Sequence, residues 1–197
     1  MTATARTVRE SGTGVRVGTE TGALEAGTVV LAAGSWSGLI PIGDLPERPV
    51  RPVRGQLLHL AWLGVRMKHI TWGTRCYMVP WPDGTVLLGA TAEDAGFDER
   101  NTVAGVRDLL EAACELVPRT WQAGFTGARV GLRPASPDEL PIVGRSSRMQ
   151  NLVYATAHYR NGILLTPLTA AVVAALVLDG AEDPALALMG PGRFGEL

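Results

Sequence analysis

The chain has 197 residues, with 18 Lys and Arg against 19 Asp and Glu, and two cysteines. That length supports one sizeable core or slightly more and excludes a large multidomain enzyme, while the balanced charge leaves no basic footprint for nucleic acid or acidic lipid. Hydrophobic residues make up 46%, so the chain is no disordered tail, and 24 Gly and 13 Pro imply many turns between short strands.

From the N-terminus, Met1–Arg6 lacks an apolar signal region, which makes the cytoplasm the default compartment. Arg6–Glu10, Val15–Thr19, Ala23–Glu25 and Thr28–Ala32 read as strands separated by Gly12, Gly14, Gly22 and Gly27. The last is apolar without alternation, as expected for a strand covered on both faces, and it exits sharply at Ala33-Gly34-Ser35-Trp36. Pro41–Pro52 is a proline-spaced linker. Val53–Trp62, Ile70–Trp72, Cys76–Trp81 and Thr85–Ala90 follow as strands, with Trp81-Pro82-Asp83-Gly84 as a hairpin turn.

Val103, Val106, Leu109, Leu110, Ala113, Leu116 and Val117 recur at helical intervals until Pro118 stops the pattern. Gln122–Leu132, Leu140–Val143 and Leu152–Ala155 return to extended structure. A closing helix runs from about Ile163 to Leu178, with Pro167 expected in its first turn, where a missing N–H costs nothing. The stretch Gly162–Leu178 carries no charge but lacks membrane flanks, so it reads as a buried core helix rather than a span. The fold class is α+β with a mostly antiparallel sheet and a few strands belonging to another.

Three segments carry chemistry. Val29–Gly34 ends an apolar strand in small residues, where a nucleotide can approach the backbone; it is equally a buried strand with a glycine turn. In Gly131-Leu132-Arg133-Pro134, a guanidinium fixed between a strand end and a proline suits a bidentate grip on a small carboxylate, or else a surface ion pair. His158-Tyr159-Arg160-Asn161-Gly162 is a polar run directly before a helix, whose positive end can stabilise an anion, or else an ordinary cap. His59 and His69 have no acidic or thiol ligand at metal spacing, so no metal site is expected. Cys76 and Cys114 give neither a disulfide framework nor zinc spacing, and Cys76 has no basic partner for thiol chemistry. The five tryptophans read mostly as packing residues.

Taken in order, Thr28–Gly34 with Ser35-Trp36-Ser37, Pro52-Val53-Arg54-Gly55-Gln56, Cys76-Tyr77-Met78-Val79-Pro80, Gly131-Leu132-Arg133-Pro134 with Pro137-Asp138, and His158–Leu165 with Pro167 resemble the FAD-dependent D-amino-acid oxidase superfamily. Within it the likeness is to the glycine oxidases of the thiamine-biosynthesis type, and it covers almost the whole chain. The resemblance implies FAD as cofactor and oxidation of a small amine or amino acid to an imine. A hydride passes to the flavin, and molecular oxygen is the acceptor that yields hydrogen peroxide. It places Arg133 and Tyr77 on the substrate carboxylate and Arg160 near both flavin and substrate. Ala32, Ala33, Gly34, Trp36, His158, Arg160, Asn161, Gly162, Ile163 and Leu164 would line the cofactor. Ala92 is a candidate wall of the substrate volume.

The same resemblance divides the chain into FAD-domain parts at 1–44 and 131–197 around a substrate-binding domain at 45–130. Two residues depart from the family: Glu139 and Ala157 stand where glycine is usual. A larger departure is that no Gly-x-Gly-x-x-Gly opens a helix; Gly12, Gly14 and Gly18 have the wrong spacing in a strand-turn-strand context. The dinucleotide-binding strand-helix-strand unit would lie before Met1, so the chain reads as a C-terminal half that binds FAD weakly or not at all alone. The readings that follow are an oxidase, or a non-catalytic fragment or subunit completed by a partner chain that supplies the missing unit. D-amino-acid dehydrogenases and the oxidase domain of a tRNA-modifying protein share the Gly-Leu-Arg-Pro signature. A homo-oligomer is compatible with each; nucleic acid and membrane partners are not expected.

Overall fold

The computed structural model describes residues 3–197; Met1 and Thr2, which begin the N-terminal run above, lie outside them. The architecture is mixed α and β with mainly antiparallel pairing, as expected. Two compact units form, one from the described residues up to Pro52 together with Arg133–Leu197, the other from Val53–Leu132.

The first unit begins with a meander of β1 (Ala5–Ser11), β2 (Gly14–Thr19) and β3 (Gly22–Ala26), in which Val8 lies opposite Val17 and Val17 opposite Leu24. Alternation sends Val8 and Val15 into the core, whereas the outer strand β3 is exposed along its whole length. β4 (Val29–Leu31) then buries Leu31 but leaves Val30 41% exposed. The expectation of a strand covered on both faces is therefore corrected. Its second face borders an open apolar groove instead of packed side chains.

In the second unit, β5 (Arg51–Ala61), which starts just before the boundary, joins β6 (Thr71–Trp72), β7 (Tyr77–Pro80), β8 (Thr85–Gly89) and β9 (Gly124–Ala135) in the order β6-β7-β8-β5-β9. Inward positions Leu58, Leu60, Met78, Val86 and Leu88 pack with Leu109, Ala112 and Ala113 of α1 (Val103–Leu116). The Thr102 hydroxyl caps α1 by accepting from the Gly105 N–H at 3.1 Å. Gly105 also gives Gln56 its room, since a Cβ there would stand 2.3 Å from the Gln56 Nε2.

The chain returns to the first unit along β9. β10 (Ile142–Arg145) pairs antiparallel with β11 (Leu152–Thr156), and β11 pairs parallel with β4. Val8, Ile42, Ile142, Leu152, Tyr154 and the C-terminal Leu197 share one core with Leu31. α2 (Gly162–Leu178) lies against β10 and β11, followed by the short α3 (Leu186–Met189).

α2 departs from expectation twice. It buries only Val172 and Leu176, while Ile163 is 94% exposed and Leu178 80%. A helix apolar on every side is packed here along one face. Pro167 lies inside the helix rather than in its first turn, as the sixth residue of a helix that starts at Gly162. The Ile163 carbonyl loses its helical donor in consequence.

Glu139 has a φ of 60° on an exposed turn, a left-handed conformation that disfavours side chains. Glu139→Gly should therefore stabilise the first unit by about 1 kcal/mol, because no packing is lost to offset the relieved strain. Denaturant unfolding of the two proteins measures it.

Candidate functional site

The parallel strands β4 and β11 end side by side, and their carboxyl ends hold the residues that the sequence singled out. β4 leads through Ala32 and Ala33 to Gly34, whose φ of 54° favours glycine. β11 ends in Thr156, whose buried hydroxyl donates to the Gly34 carbonyl at 3.2 Å. With that proton committed, the Ser37 hydroxyl donates to Thr156 Oγ1 at 2.7 Å. Arg48, buried in the proline-spaced segment, donates to the carbonyls of Ser37, Gly38 and Pro46 at 3.3, 3.4 and 2.9 Å, and to that of Ile40. The turn that carries Trp36 is thereby fixed from both sides, and Trp36 itself remains 48% exposed.

Beyond β11 the chain makes a tight turn in which Ala157 has a φ of 59° and Tyr159 of 48°. Both are left-handed without being glycine, and Ala157 is fully buried. The turn is held by the strand that carries Arg133. Ala135 and His158 form an antiparallel bridge, and the Tyr159 N–H donates to the Pro134 carbonyl at 2.8 Å. Arg133 and Arg160, 27 positions apart in the chain, thus sit on two bonded segments of one unit.

The turn delivers the chain into α2. The Asn161 side chain makes no cap hydrogen bond, so the first N–H groups of the helix keep their positive end without an internal acceptor from that side chain. Ile163 and Leu164 are 94% and 79% exposed beside it. His158 Nε2 lies 2.9 Å from Thr169 Oγ1, and burial pushes its imidazole pKa down, so the ring is neutral at pH 7. Arg160 is exposed, its guanidinium carbon 5.3 Å from the centroid of the Tyr159 ring. Between β4, Ala155 and α2 runs an apolar groove of about 550 Å³ that Val30, Ala32, Thr169 and Val173 help to line.

A clasp fixes the segment after Arg133. Asp138 accepts from the Ser136 hydroxyl at 2.8 Å, the Leu140 N–H at 3.1 Å and Arg193 Nε at 2.7 Å. Arg193 also donates to the carbonyls of Leu140 and Pro141 at 2.9 and 2.8 Å. The Arg193 hydrogen bond, helped by Ser136 and Leu140, holds the Asp138 carboxyl well below the usual aspartate range.

In the second unit, Tyr77 is half-buried, its ring 4.9 Å from that of Trp72 and opposite Gly89 in the ladder. Arg54 is not available to a ligand: it pairs with Glu93 at 2.6 Å and Asp98 at 2.9 Å, and Gln56 joins Glu93 at 2.8 Å. Ala92 is exposed.

Thr156, Arg48 and Arg193 escaped the sequence reading, and Ser37 stood in it only as part of a motif. Thr156 and Arg193 reach their partners across 122 and 55 positions, and nothing local to Glu47-Arg48-Pro49 reveals a buried guanidinium. The motif Pro137-Asp138 was visible, but not its partner.

A profile of the FAD dependent oxidoreductase family, DAO, matches residues 2–176. The chain is 40% identical over 191 residues to the bifunctional protein ThiO/ThiG of Trichormus variabilis, covering 95% of this chain and 28% of that protein. It is 37% identical over 181 residues to the glycine oxidase of Pseudomonas putida, covering 90% and 49%. The crystal structure of glycine oxidase from Geobacillus kaustophilus matches with a TM-score of 0.88 and 32% identity, over 97% of this chain and 52% of that one. This chain therefore spans about half of these single-function relatives and little more than a quarter of the bifunctional one.

Because Asp138 has a depressed pKa, its clasp contributes stability that is complete above the ordinary aspartate pKa of about 4 and is lost as pH falls toward the folded value. Asp138→Asn should lower the melting temperature at pH 7 and flatten its decline on acidification from about pH 5 to pH 3. Thermal melts of both proteins across that range read the difference in slope.

Proposed function

The chain belongs to the FAD-dependent oxidoreductase family, whose members are FAD enzymes, and we propose that it forms the part of a glycine-oxidase-type enzyme that grips the amino-acid carboxylate and borders the flavin ring. One observation carries this reading. The strand bearing Arg133 is bonded, through Ala135 and Pro134, to the turn that opens α2 at the carboxyl ends of β4 and β11. A rigid cation and an uncapped helix N-terminus in one place suit an anionic substrate beside an electron-rich ring.

The residues present fit part of FAD. The α2 N-terminus, with exposed Ile163 and Leu164, offers N–H donors and apolar surface to the pyrimidine edge of the ring. The pyrophosphate finds no glycine-rich strand-to-helix turn among the described residues, since Gly12 lies in the β1–β2 hairpin and Gly14 and Gly18 lie within β2. Bound there, FAD would supply the acceptor for a hydride from the amine-bearing carbon, with molecular oxygen as the final oxidant and hydrogen peroxide as the by-product.

The chain's own residues bind and orient. Arg133 holds the substrate carboxylate by two parallel hydrogen bonds, and Tyr77 donates its phenol hydrogen to the substrate. Arg160 adds positive charge at the turn. His158, neutral and committed to Thr169, adds none. No proton acceptor is required of the protein when the amine arrives neutral, and the imine produced is hydrolysed by water.

A second reading has its own support: the chain functions only with a dinucleotide-binding unit, supplied by further sequence or by a partner. Apolar Ile163, Leu164, Leu168 and Leu178 are exposed on α2, with Val30 exposed on β4. A folded protein gains by covering so large an apolar surface.

Arg133→Lys keeps the charge and loses the fork. In the flavin-loaded enzyme it should raise the KM for glycine roughly tenfold to a hundredfold, the loss of one charge-assisted hydrogen bond, with FAD retention unchanged. Steady-state oxygen consumption measures it, and a wild-type KM would remove Arg133 from the site.

A further inference from the structure

The open face of the second unit's sheet, opposite α1, carries a row formed by Trp72, Tyr77, Gly89 and Leu57 in direct cross-strand register. We propose that Gly89 is a positioning residue: its bare α-carbon is the seat on which the Tyr77 phenol lies, so that the size of residue 89 sets where the phenol points. The functional consequence rests on the reading above that Tyr77 meets the substrate; the seat itself does not.

No left-handed φ calls for glycine at position 89, and the peptide bond that follows, to Ala90, is cis. What the bare α-carbon does provide is room. A Cβ there would stand 2.7 Å from both the Tyr77 Cζ and the phenol oxygen, and 2.5 Å from Leu57 Cδ2. Ordinary contact needs about 3.5–4 Å, so something must move by roughly 1 Å.

The backbone is not what yields. β8 is paired on both sides, with Gly89 opposite Tyr77 in β7 and opposite Leu57 in β5. Beyond Gly89 the same segment stays bonded to β5: Thr91 N–H donates to the Gln56 carbonyl at 3.3 Å, and Glu93 and Arg54 exchange backbone hydrogen bonds at 3.0 and 2.9 Å. The buried Arg54–Glu93 ion pair at 2.6 Å locks that register. On the far face, Leu58, Met78 and Leu88 are fully buried in the core shared with α1, so the sheet has no space to bow. What remains movable is the end of two side chains, Leu57 and Tyr77. The Tyr77 ring meets Trp72 at 4.9 Å on its other side, so a methyl group at position 89 tilts the phenol off the sheet.

The test compares Gly89→Ala, Tyr77→Phe and the double variant in the flavin-loaded enzyme. Near-ultraviolet circular dichroism of the stacked Trp72–Tyr77 pair reads the ring directly. A changed aromatic signal in Gly89→Ala, with the far-ultraviolet spectrum preserved, is the expected result, and an unchanged one overturns the seat. In kinetics, Gly89→Ala should raise the glycine KM about tenfold with kcat little changed, and the double variant should be no worse than Tyr77→Phe alone. If Tyr77→Phe raises KM while Gly89→Ala does not, the inference fails and the role of Tyr77 stands. If Tyr77→Phe leaves KM unchanged, that role fails, and the dichroism still decides the seat. Should Gly89→Ala not fold, Gly89→Ala combined with Tyr77→Ala removes the obstructing ring: recovery of folding supports the seat, and failure to recover overturns it.

Discussion

The hydrogen bond from the Tyr159 N–H to the Pro134 carbonyl, with the bridge between Ala135 and His158 beside it, is the constraint on which the first unit's site depends. It binds the arginine-bearing end of β9 to a turn that would otherwise be free to choose its path. That turn is unfavourable by itself, since Ala157 and Tyr159 both adopt left-handed backbone. Such conformations persist where the surroundings over-determine them. Here the surroundings are the β9 strand end on one side and, on the other, Thr156 tied to Gly34 and Ser37.

From that junction the polar groups fall into place by ordinary packing rules. The turn ends where α2 begins, so the helix presents its positive end at the carboxyl ends of the parallel strands, the position where open parallel sheets receive ligands. Asp138 and Arg193 restrain the strand exit beyond Arg133, and Arg48 restrains the turn beyond β4. Charge inside these restraints is committed to structure, as it is at Arg54 in the second unit. Arg160 is the exposed guanidinium of the turn.

Much of this was legible because local pattern and global fold agree. The Trp81-Pro82-Asp83-Gly84 turn marked a hairpin of the second unit, the three-four spacing of Val103 to Val117 marked α1, and Pro118 ended it. The motifs around Arg133 and Asn161-Gly162 pointed to the candidate site, and the structure bonds their two segments to each other. The departures Glu139 and Ala157 gained a physical meaning, since both stand at positive φ where glycine is the unstrained residue. What was not legible follows no local pattern: Arg193 reaches Asp138 across 55 positions and Thr156 reaches Gly34 across 122, while Arg48 turns back on four carbonyls within 11 positions of it. Composition also misled at α2. A run of apolar residues predicts burial, but how much is buried depends on what packs against it, and the described residues bury just Val172 and Leu176 of this helix.

The central claim is that this chain supplies the substrate-gripping and flavin-edge part of a glycine-oxidase-type enzyme, with the pyrophosphate seat supplied by another unit. The most direct test is the visible spectrum after gel filtration with FAD. It is recorded for the chain alone and for the chain produced together with the part of the Geobacillus kaustophilus glycine oxidase that it does not span, followed by anaerobic glycine. The account predicts that the chain alone elutes without flavin, and that the assembled pair elutes yellow and bleaches on addition of glycine. Flavin retained by the isolated chain, or an assembled pair that binds flavin and stays yellow with glycine, would contradict it.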